Sequence, residues 1–170
     1  NKVDREANDP CELLDEIENV LGIATCPINW PIGCGKAFKG VYDRKQKEVS
    51  LFKAAMNGQK EADTKNISID DDELKAEIGD DYWAKLEEDV ELLDGASAEF
   101  DLAKVQAGDL TPVFFGSALT NFGVETFLQH FLDMTTSPLP RNSSVGLIDP
   151  FKEDFSAFVF KIQANMNKAH

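Results

Sequence analysis

The first four residues, Asn1-Lys2-Val3-Asp4, carry side chains suited to recognising a guanine base. A carboxylate accepts hydrogen bonds from two adjacent N–H groups, and guanine presents such a pair in its ring imide and its exocyclic amine. Asp4 would therefore discriminate between purines, because a wrong base leaves a buried charge unpaired. Asn1 would bond to neighbouring base or loop groups, and the aliphatic stem of Lys2 would lie over the ring. By itself, the tetrapeptide is equally typical of a polar loop at a strand end.

A second short motif, Ser117-Ala118-Leu119, directly follows a predicted strand. Ligands of open α/β sheets bind beyond the carboxyl ends of the strands. The backbone N–H of Ala118 would donate to the guanine carbonyl oxygen while Ser117 braces the loop, although for an isolated Ser-Ala-Leu the sequence strongly favours a plain small-residue turn between strand and helix. Because both motifs stand at strand-to-helix transitions, we expect them to share one base. The predicted guanine-binding residues are Asn1, Lys2, Asp4, Ser117, Ala118 and Leu119.

A helix follows each motif. After the first motif, Asp9 is placed to cap, Pro10 suits the first helical position and Gly22 ends the helix. Its apolar residues recur on one face, which predicts packing against an apolar surface, most simply a sheet. After the second motif, a helix is predicted from Val124 to Leu132. His130 falls on its polar side, which predicts a solvated surface residue.

Extended segments lie between these helices. Residues 23–32 contain two prolines, which favours an edge or irregular strand. Residues 37–42 and 49–52 flank a charged turn, the pattern of a hairpin. Residues 111–115 form a continuous apolar run, which predicts a strand buried on both faces of a parallel sheet.

Charge is distributed very unevenly along the chain. The 170 residues include 17 basic and 31 acidic side chains, for a net charge of −14, which argues against a nucleic-acid-binding surface spread over the whole protein. Between Lys60 and Leu110 there are 17 acidic and 5 basic residues, so this stretch carries −12 of that total. A helical apolar stripe runs through it, which predicts a folded acidic insertion, roughly residues 23–110. Its acidic face is either simply solvated or a docking surface for a basic protein partner.

Other features bear on location and chemistry. No long apolar run or signal-peptide pattern is present, and an odd number of cysteines, three, favours reduced thiols, so we expect a cytoplasmic protein. Gly33-Cys-Gly-Lys36 lacks the earlier glycine and the following Ser or Thr of a phosphate loop, since Trp30 and Ala37 stand there. The cysteines and the two histidines lack metal-ligand spacing. We therefore expect neither catalytic nor metal-binding residues.

The carboxyl-terminal part predicts a second domain. Residues 155–164 alternate like a strand, and a lone strand cannot bury its face, so it would open a further domain. Residues 141–150 show no periodicity and are interpreted as a connection. The predicted domains are 1–140 and 141–170, and the chain is expected to be a piece of a longer protein. An unpaired strand from Phe155 to Ala164 would dimerise by strand addition or stay disordered.

These motifs together resemble a known family. The opening tetrapeptide and its capped helix, the segment Ala37-Phe-Lys-Gly-Val-Tyr42, the segment Pro112-Val-Phe-Phe-Gly-Ser-Ala-Leu119 and the helix opened by Gly123-Val124 resemble the second half of the GTP-binding domain of translational GTPases. Residues 155–166 resemble the start of the β-barrel domain that follows it. Within the family, residues 28–36 and 160–166 are most similar to the branch that acts at translation termination, and elongation factor G is the next most similar branch.

The resemblance implies an α/β fold: the C-terminal half of a P-loop-type GTP-binding domain with an acidic α+β insertion, ending in the first strand of a β-barrel. It implies a GTPase that binds GTP or GDP with Mg²⁺ and promotes release of class-1 release factors from the ribosome. In that family the two motifs read and cover the base, and the phosphate loop, switch regions, catalytic histidine and Mg²⁺ ligands lie upstream of the first motif. We therefore expect this chain alone not to hydrolyse GTP.

Three alternatives stay open at the level of sequence. The chain resembles an elongation-factor-G-like GTPase or a ribosome-protection GTPase as well. It is also compatible with a non-enzymatic interaction module in which the acidic insertion binds a partner and the two motifs are incidental. By resemblance to elongation factor G, the partner of the insertion would be the ribosomal stalk protein.

Overall fold

The computed structural model describes residues 1–52 and 64–162. The chain divides into two compact units, Asn1–Met134 and Thr135–His170, and the predicted boundary at 140/141 stays a prediction. In chain order the elements are α1 Pro10–Leu21, β1 Ala24–Pro27, β2 Asn29–Ile32, a 3₁₀ turn Gly35–Ala37, β3 Gly40–Asp43, β4 Glu48–Phe52, β5 Thr64–Ser68, α2 Asp72–Ile78, α3 Asp80–Ala96, α4 Leu102–Ala107, β6 Leu110–Val113, α5 Val124–Met134, β7 Arg141–Ser143 and β8 Gly146–Ile148. Among the described residues, no helix is both long and apolar enough to cross a lipid bilayer.

Helix α1 begins and ends as its sequence predicts. The Asp9 side chain accepts a hydrogen bond from the Cys11 N–H at 2.8 Å, and Gly22 ends the helix in the left-handed conformation with φ 66°. Its apolar face is only partly covered, since Val20 and Leu21 are 74% and 62% exposed. The packing predicted for this face is therefore confined to its amino-terminal two turns.

Strands β1 and β6 pair in parallel, with Ala24 opposite Leu110 and Pro27 opposite Val113. The parallel pairing agrees with the prediction, but burial on both faces was wrong. Leu110 is buried, whereas the rest of β6 is half-exposed. The elements packed over the faces of β6 within the described residues therefore cover this strand only in part.

The insertion contains a sheet of its own, with the antiparallel order β2-β3-β4-β5. The hairpin predicted around the charged turn is formed by β3 and β4, with Asp43 opposite Glu48. Helices α2 and α3 cover this sheet, and the predicted apolar stripe of α3 places Leu86 and Leu93 in the core. The acidic stretch is thus folded through residues 64–110, while its first residues, 60–63, lie outside the described part of the chain.

The second unit differs from its prediction in two places. Residues 141–150, expected to be a plain connection, contain the β7–β8 hairpin, whose turn uses Gly146 at φ 105°. The strand predicted over residues 155–164 is not formed: residues 155–162 have no regular structure and are exposed, and residues 163 and 164 lie outside the described range. Alternation alone does not make a strand, because no other described segment pairs with this one.

Candidate functional site

The two predicted motifs, 113 residues apart in sequence, are in direct contact. The Ser117 hydroxyl donates to Asp4 Oδ1 at 2.5 Å, and the Ala118 N–H donates to Asn1 Oδ1 at 3.1 Å. The Val3 N–H donates to the Gly116 carbonyl at 3.3 Å. Two side-chain bonds and one backbone bond therefore join the first loop to the second.

The first loop is fixed by its own backbone. Val3 is buried, and its carbonyl accepts a hydrogen bond from the Gly35 N–H at 2.9 Å. Lys2 adopts a positive φ of 72°, and the Arg5 N–H donates to the Lys2 carbonyl at 3.0 Å, which closes a tight turn. A non-glycine residue in the left-handed region is uncommon, and such positions concentrate at ligand-binding loops. The turn leaves the Lys2 side chain exposed next to Asp4.

The second loop, residues 117–122, is closed at its base. Ser117 and Phe122 exchange backbone hydrogen bonds of 2.9 and 3.0 Å, and Ser117 is fully buried. A Cβ at Gly116 would lie 2.7 Å from the Phe122 carbonyl oxygen, so only glycine fits there. The Phe122 ring stacks on Phe38 and on Phe52, with centroids 5.4 and 4.9 Å apart. The loop therefore packs on an aromatic cluster, of which the insertion supplies Phe38 and Phe52.

One residue that supports the second loop was missed by the sequence analysis. Asn29 is fully buried; its Nδ2 donates to the Phe115 carbonyl at 3.0 Å, and its Oδ1 accepts from the Phe115 N–H at 2.6 Å. The only sequence signal was a polar residue between Ile28 and Trp30 in an otherwise apolar segment. Trp30 contacts the same phenylalanine ring edge-on, with centroids 5.4 Å apart.

The predicted site residues differ in how the structure presents them. Asn1, Asp4, Ser117 and Ala118 are hydrogen-bonded to one another, while Lys2 and Leu119 are their exposed chain neighbours. One detail differs from the prediction. The Ala118 N–H, expected to face a base carbonyl, is donated here to Asn1, so an entering base must replace that bond. Both groups are at the surface, where such an exchange has a small free-energy cost.

The prediction for His130 was wrong. Its Nε2 lies 2.6 Å from Asp43 Oδ2, and the two side chains are 6% and 3% exposed. Asp43 Oδ1 also accepts the Lys45 and Gln46 N–H groups, each at 2.9 Å. The helix periodicity placed His130 on a polar face correctly, but the β3–β4 turn covers that face. His130 therefore joins α5 to the insertion and lies outside the base site.

The Gly33–Lys36 segment has another role than binding phosphate. The Gly35 N–H is bonded to Val3, and the Ala37 N–H is bonded to the Cys34 carbonyl at 3.0 Å, so neither amide is available to a phosphate. Lys36 is exposed. Among residues 1–52 and 64–162, no group of three His, Cys, Asp or Glu side chains is placed to hold a metal ion. This segment supports the first loop instead.

Local contacts shift the pKa values of two ionisable groups near β1. The Glu18 carboxylate accepts hydrogen bonds from the Thr25 hydroxyl and N–H at 2.6 and 2.7 Å, which lower the pKa of Glu18. Burial raises the pKa of the Cys26 thiol, which is free and unreactive in that state. Both groups stabilise the β1 region and do not contact the two loops.

Comparison with known proteins finds relatives that match the whole chain. All 170 residues align with peptide chain release factor 3 of Symbiobacterium thermophilum at 52% identity, of Gloeothece citriformis at 50% and of Microcystis aeruginosa at 49%. Along its whole length this chain is similar to peptide chain release factor 3. The resemblance predicted from the sequence is thereby confirmed, and within it the termination branch. No family model matches the chain.

The alignment covers only part of those proteins. The chain spans 32%, 32% and 31% of the three release factor 3 sequences, so it corresponds to about a third of their length. The described loops, helices and sheets are those of this third.

Proposed function

We propose that this chain supplies guanine-base recognition to a GTPase of translation termination. The contact between the Asn1–Asp4 loop and the Ser117–Leu119 loop carries the proposal. That contact brings a carboxylate and a main-chain N–H together, and these two groups complement the two donors and the carbonyl acceptor on the Watson–Crick edge of guanine. The similarity to release factor 3 supports the termination role.

The roles of the six residues follow from their contacts. Ser117 holds the Asp4 carboxylate through Oδ1, which orients it towards the imide and amine of the base. The Ala118 N–H exchanges its bond from Asn1 to the guanine carbonyl, and Asn1 is then available to the base. The Lys2 stem and the exposed Leu119 lie on the two loops beside the ring and cover its faces.

Hydrolysis belongs to the whole protein and not to these loops. The proposed GTPase binds GTP or GDP with Mg²⁺ and acts on the ribosome and class-1 release factors. Within this chain the residues fit the base, whereas the Gly33–Lys36 segment lacks the hydroxyl of a phosphate loop and its Gly35 N–H is already bonded to Val3. A few net hydrogen bonds, less the cost of ordering a ligand, predict an affinity of about millimolar for the base alone.

The acidic insertion is proposed as a docking surface for a protein partner. Carboxylates on α2 and α3 are exposed together, and they comprise Asp72, Glu73, Glu77, Asp80, Asp81, Glu87, Glu88, Glu91 and Asp94. This surface favours a partner with basic side chains, and the resemblance to elongation factor G points to the ribosomal stalk protein. Dimerisation through residues 155–164 is a separate proposal, since five apolar side chains within residues 155–162 are at least 79% exposed.

The test of base recognition is a nuclear magnetic resonance titration of the 170-residue chain with GDP, ADP and xanthosine diphosphate. In the wild type we expect GDP to shift the amides of both loops and ADP to shift them about tenfold less at equal concentration. In Asp4→Asn the order should change to favour the xanthine nucleotide, because an amide donates where the carboxylate accepted. Asp15→Asn, the same change on the exposed side of α1, should keep the preference for GDP.

Two results would reject the proposal. Equal shifts with all three nucleotides in the wild type would leave an interaction module as the better reading. GTP turnover by the purified chain that survives Lys36→Ala and disappears in Asp4→Ala would show phosphate chemistry that the proposal denies to these residues.

A further inference from the structure

We propose that Asn29 is the positioning residue of the base-reading loop, and that it sets the place of the Ala118 N–H through the Phe115 peptide. This inference rests on the proposed guanine recognition. Asn29 lies outside both motifs and belongs to the insertion side of the molecule, as the first residue of β2.

The geometry around Asn29 points away from ordinary core packing. Its carboxamide spends both its acceptor and a donor on a single residue, Phe115, at 2.6 and 3.0 Å. A side-chain amide that bonds the N–H and the carbonyl of one residue copies the pairing of a neighbouring strand. Phe115 follows the end of β6, where the ladder with β1 has stopped, so Asn29 extends the pairing beyond the last strand residue, Val113.

Phe115, the residue to which Asn29 is bonded, is close in sequence to the atoms proposed to recognise the base. From Phe115, one glycine leads to Ser117, which holds Asp4, and the next N–H is that of Ala118. The Gly116 carbonyl between them accepts the Val3 N–H at 3.3 Å. A displacement at Phe115 therefore changes the positions of the Asp4 anchor, the first loop and the donor to the base together.

The hydrogen bonds of Asn29 lie away from solvent, so losing them has a large free-energy cost. Asn29 is 0% and Phe115 7% exposed. Removing the carboxamide leaves a buried N–H and a buried carbonyl without partners, and the loop relieves this by moving towards water. The expected effect is thus a shift of the loop as well as a loss of stability.

The test combines two measurements on the 170-residue chain. Amide hydrogen exchange of Phe115 and Ser117, measured without nucleotide, reports whether these two N–H groups stay protected and so whether the loop keeps its place. Titrations with GDP and with 6-thio-GDP, which differ only at the atom that would face the Ala118 N–H, report the reading of the base. In Asn29→Leu we expect exchange at both amides to accelerate about tenfold or more, GDP to bind about threefold to tenfold more weakly, and 6-thio-GDP to be affected less.

Two further variants keep the test decisive. Thr25→Val removes a part-buried side-chain hydrogen bond, between β1 and Glu18, and should leave the ratio of GDP to 6-thio-GDP affinity unchanged. If Asn29→Leu fails to fold, Asn29→Ser serves as a smaller polar replacement that removes the paired donor and acceptor without adding a charge, and the same two measurements apply to it.

The outcomes separate this inference from the proposed function. A folded Asn29 variant with wild-type exchange at Phe115 and Ser117, or with an unchanged affinity ratio, overturns the positioning role. A wild-type chain that binds no nucleotide with base preference removes the proposed function, and the exchange measurement still decides whether Asn29 fixes the loop.

Discussion

Two regions of this molecule use polar side chains in opposite ways. Where the insertion meets the rest of the first unit, a few polar groups are buried and bonded across the contact: Asn29 to the Phe115 peptide, and Asp43 to His130. We call these two pairs the buried attachments. On the acidic surface of α2 and α3, many charges face water, and the ion pair of Lys75 with Asp80 leaves its side chains 52% and 89% exposed.

The difference between the buried attachments and the acidic surface shows where a single side chain determines the structure. In a buried attachment, losing one partner strands the other away from water, so the arrangement is strongly specified. On the acidic surface, solvent replaces any lost partner, so individual pairs contribute little and the summed charge matters instead. Substitutions at three positions test this contrast, and they are ordered by the expected change in the free energy of unfolding.

The largest effect is expected for His130→Leu. The change keeps the volume roughly constant but leaves Asp43 Oδ2 buried without its partner at 2.6 Å, so we expect a loss of about 2–3 kcal/mol in the free energy of unfolding. Urea unfolding followed by tryptophan fluorescence measures it. The control is Gln129→Leu, a neighbouring exposed position on α5; equal losses in the two variants would show that the buried attachment has no special weight.

A smaller effect is expected for Lys75→Met on the acidic surface. Its nitrogen lies 3.6 Å from Asp80 Oδ1 in an exposed pair, so the loss should be about 0.5 kcal/mol or less and should shrink further as salt is added. The same unfolding experiment at low and high ionic strength measures it. A loss as large as that of His130→Leu would erase the distinction between the two regions.

The smallest effect is expected for Glu18, whose contribution to stability depends on pH. The pKa of Glu18 is lowered by its hydrogen bonds from Thr25, so its contribution to stability is present above the range where glutamate ordinarily titrates. That contribution is lost as the pH falls through the lowered pKa of the folded state. The stability difference between wild type and Glu18→Gln should therefore be largest near neutral pH and vanish in acid. Unfolding curves between pH 7 and pH 3 measure it, and a difference that grows on acidification would contradict the assignment.

Local sequence signals predicted the elements that hold the site. The Asp9 cap, Pro10 and Gly22 marked α1 correctly because capping depends on residues a few positions apart. The β3–β4 hairpin and the helix after the second loop were predicted for the same reason. The convergence of Asp4 and Ser117 was also expected, since each motif was predicted to stand at a strand-to-helix transition and such loops lie together at one edge of an open sheet.

Predictions that needed a neighbour from elsewhere in the chain were the ones that were wrong. The polar face of α5 was identified, but nothing near His130 in sequence shows that a turn 87 residues earlier covers it. The residues after Phe155 alternate as a strand does, yet no described segment pairs with residues 155–162. Burial of β6 on both faces required elements packed over both faces, which the short apolar run by itself does not specify.

The sequence by itself determined the types of residues that could read a base, the helices that follow them and the acidic character of the insertion. These depend on composition, on short spacings and on periodicity, which are properties of neighbouring residues. Only the tertiary structure decided that Asn29 pairs with the Phe115 peptide 86 residues away, and that His130 is buried against Asp43. Such pairs form when sheet order and register bring distant segments together, and they are selected because either partner buried without the other would cost free energy.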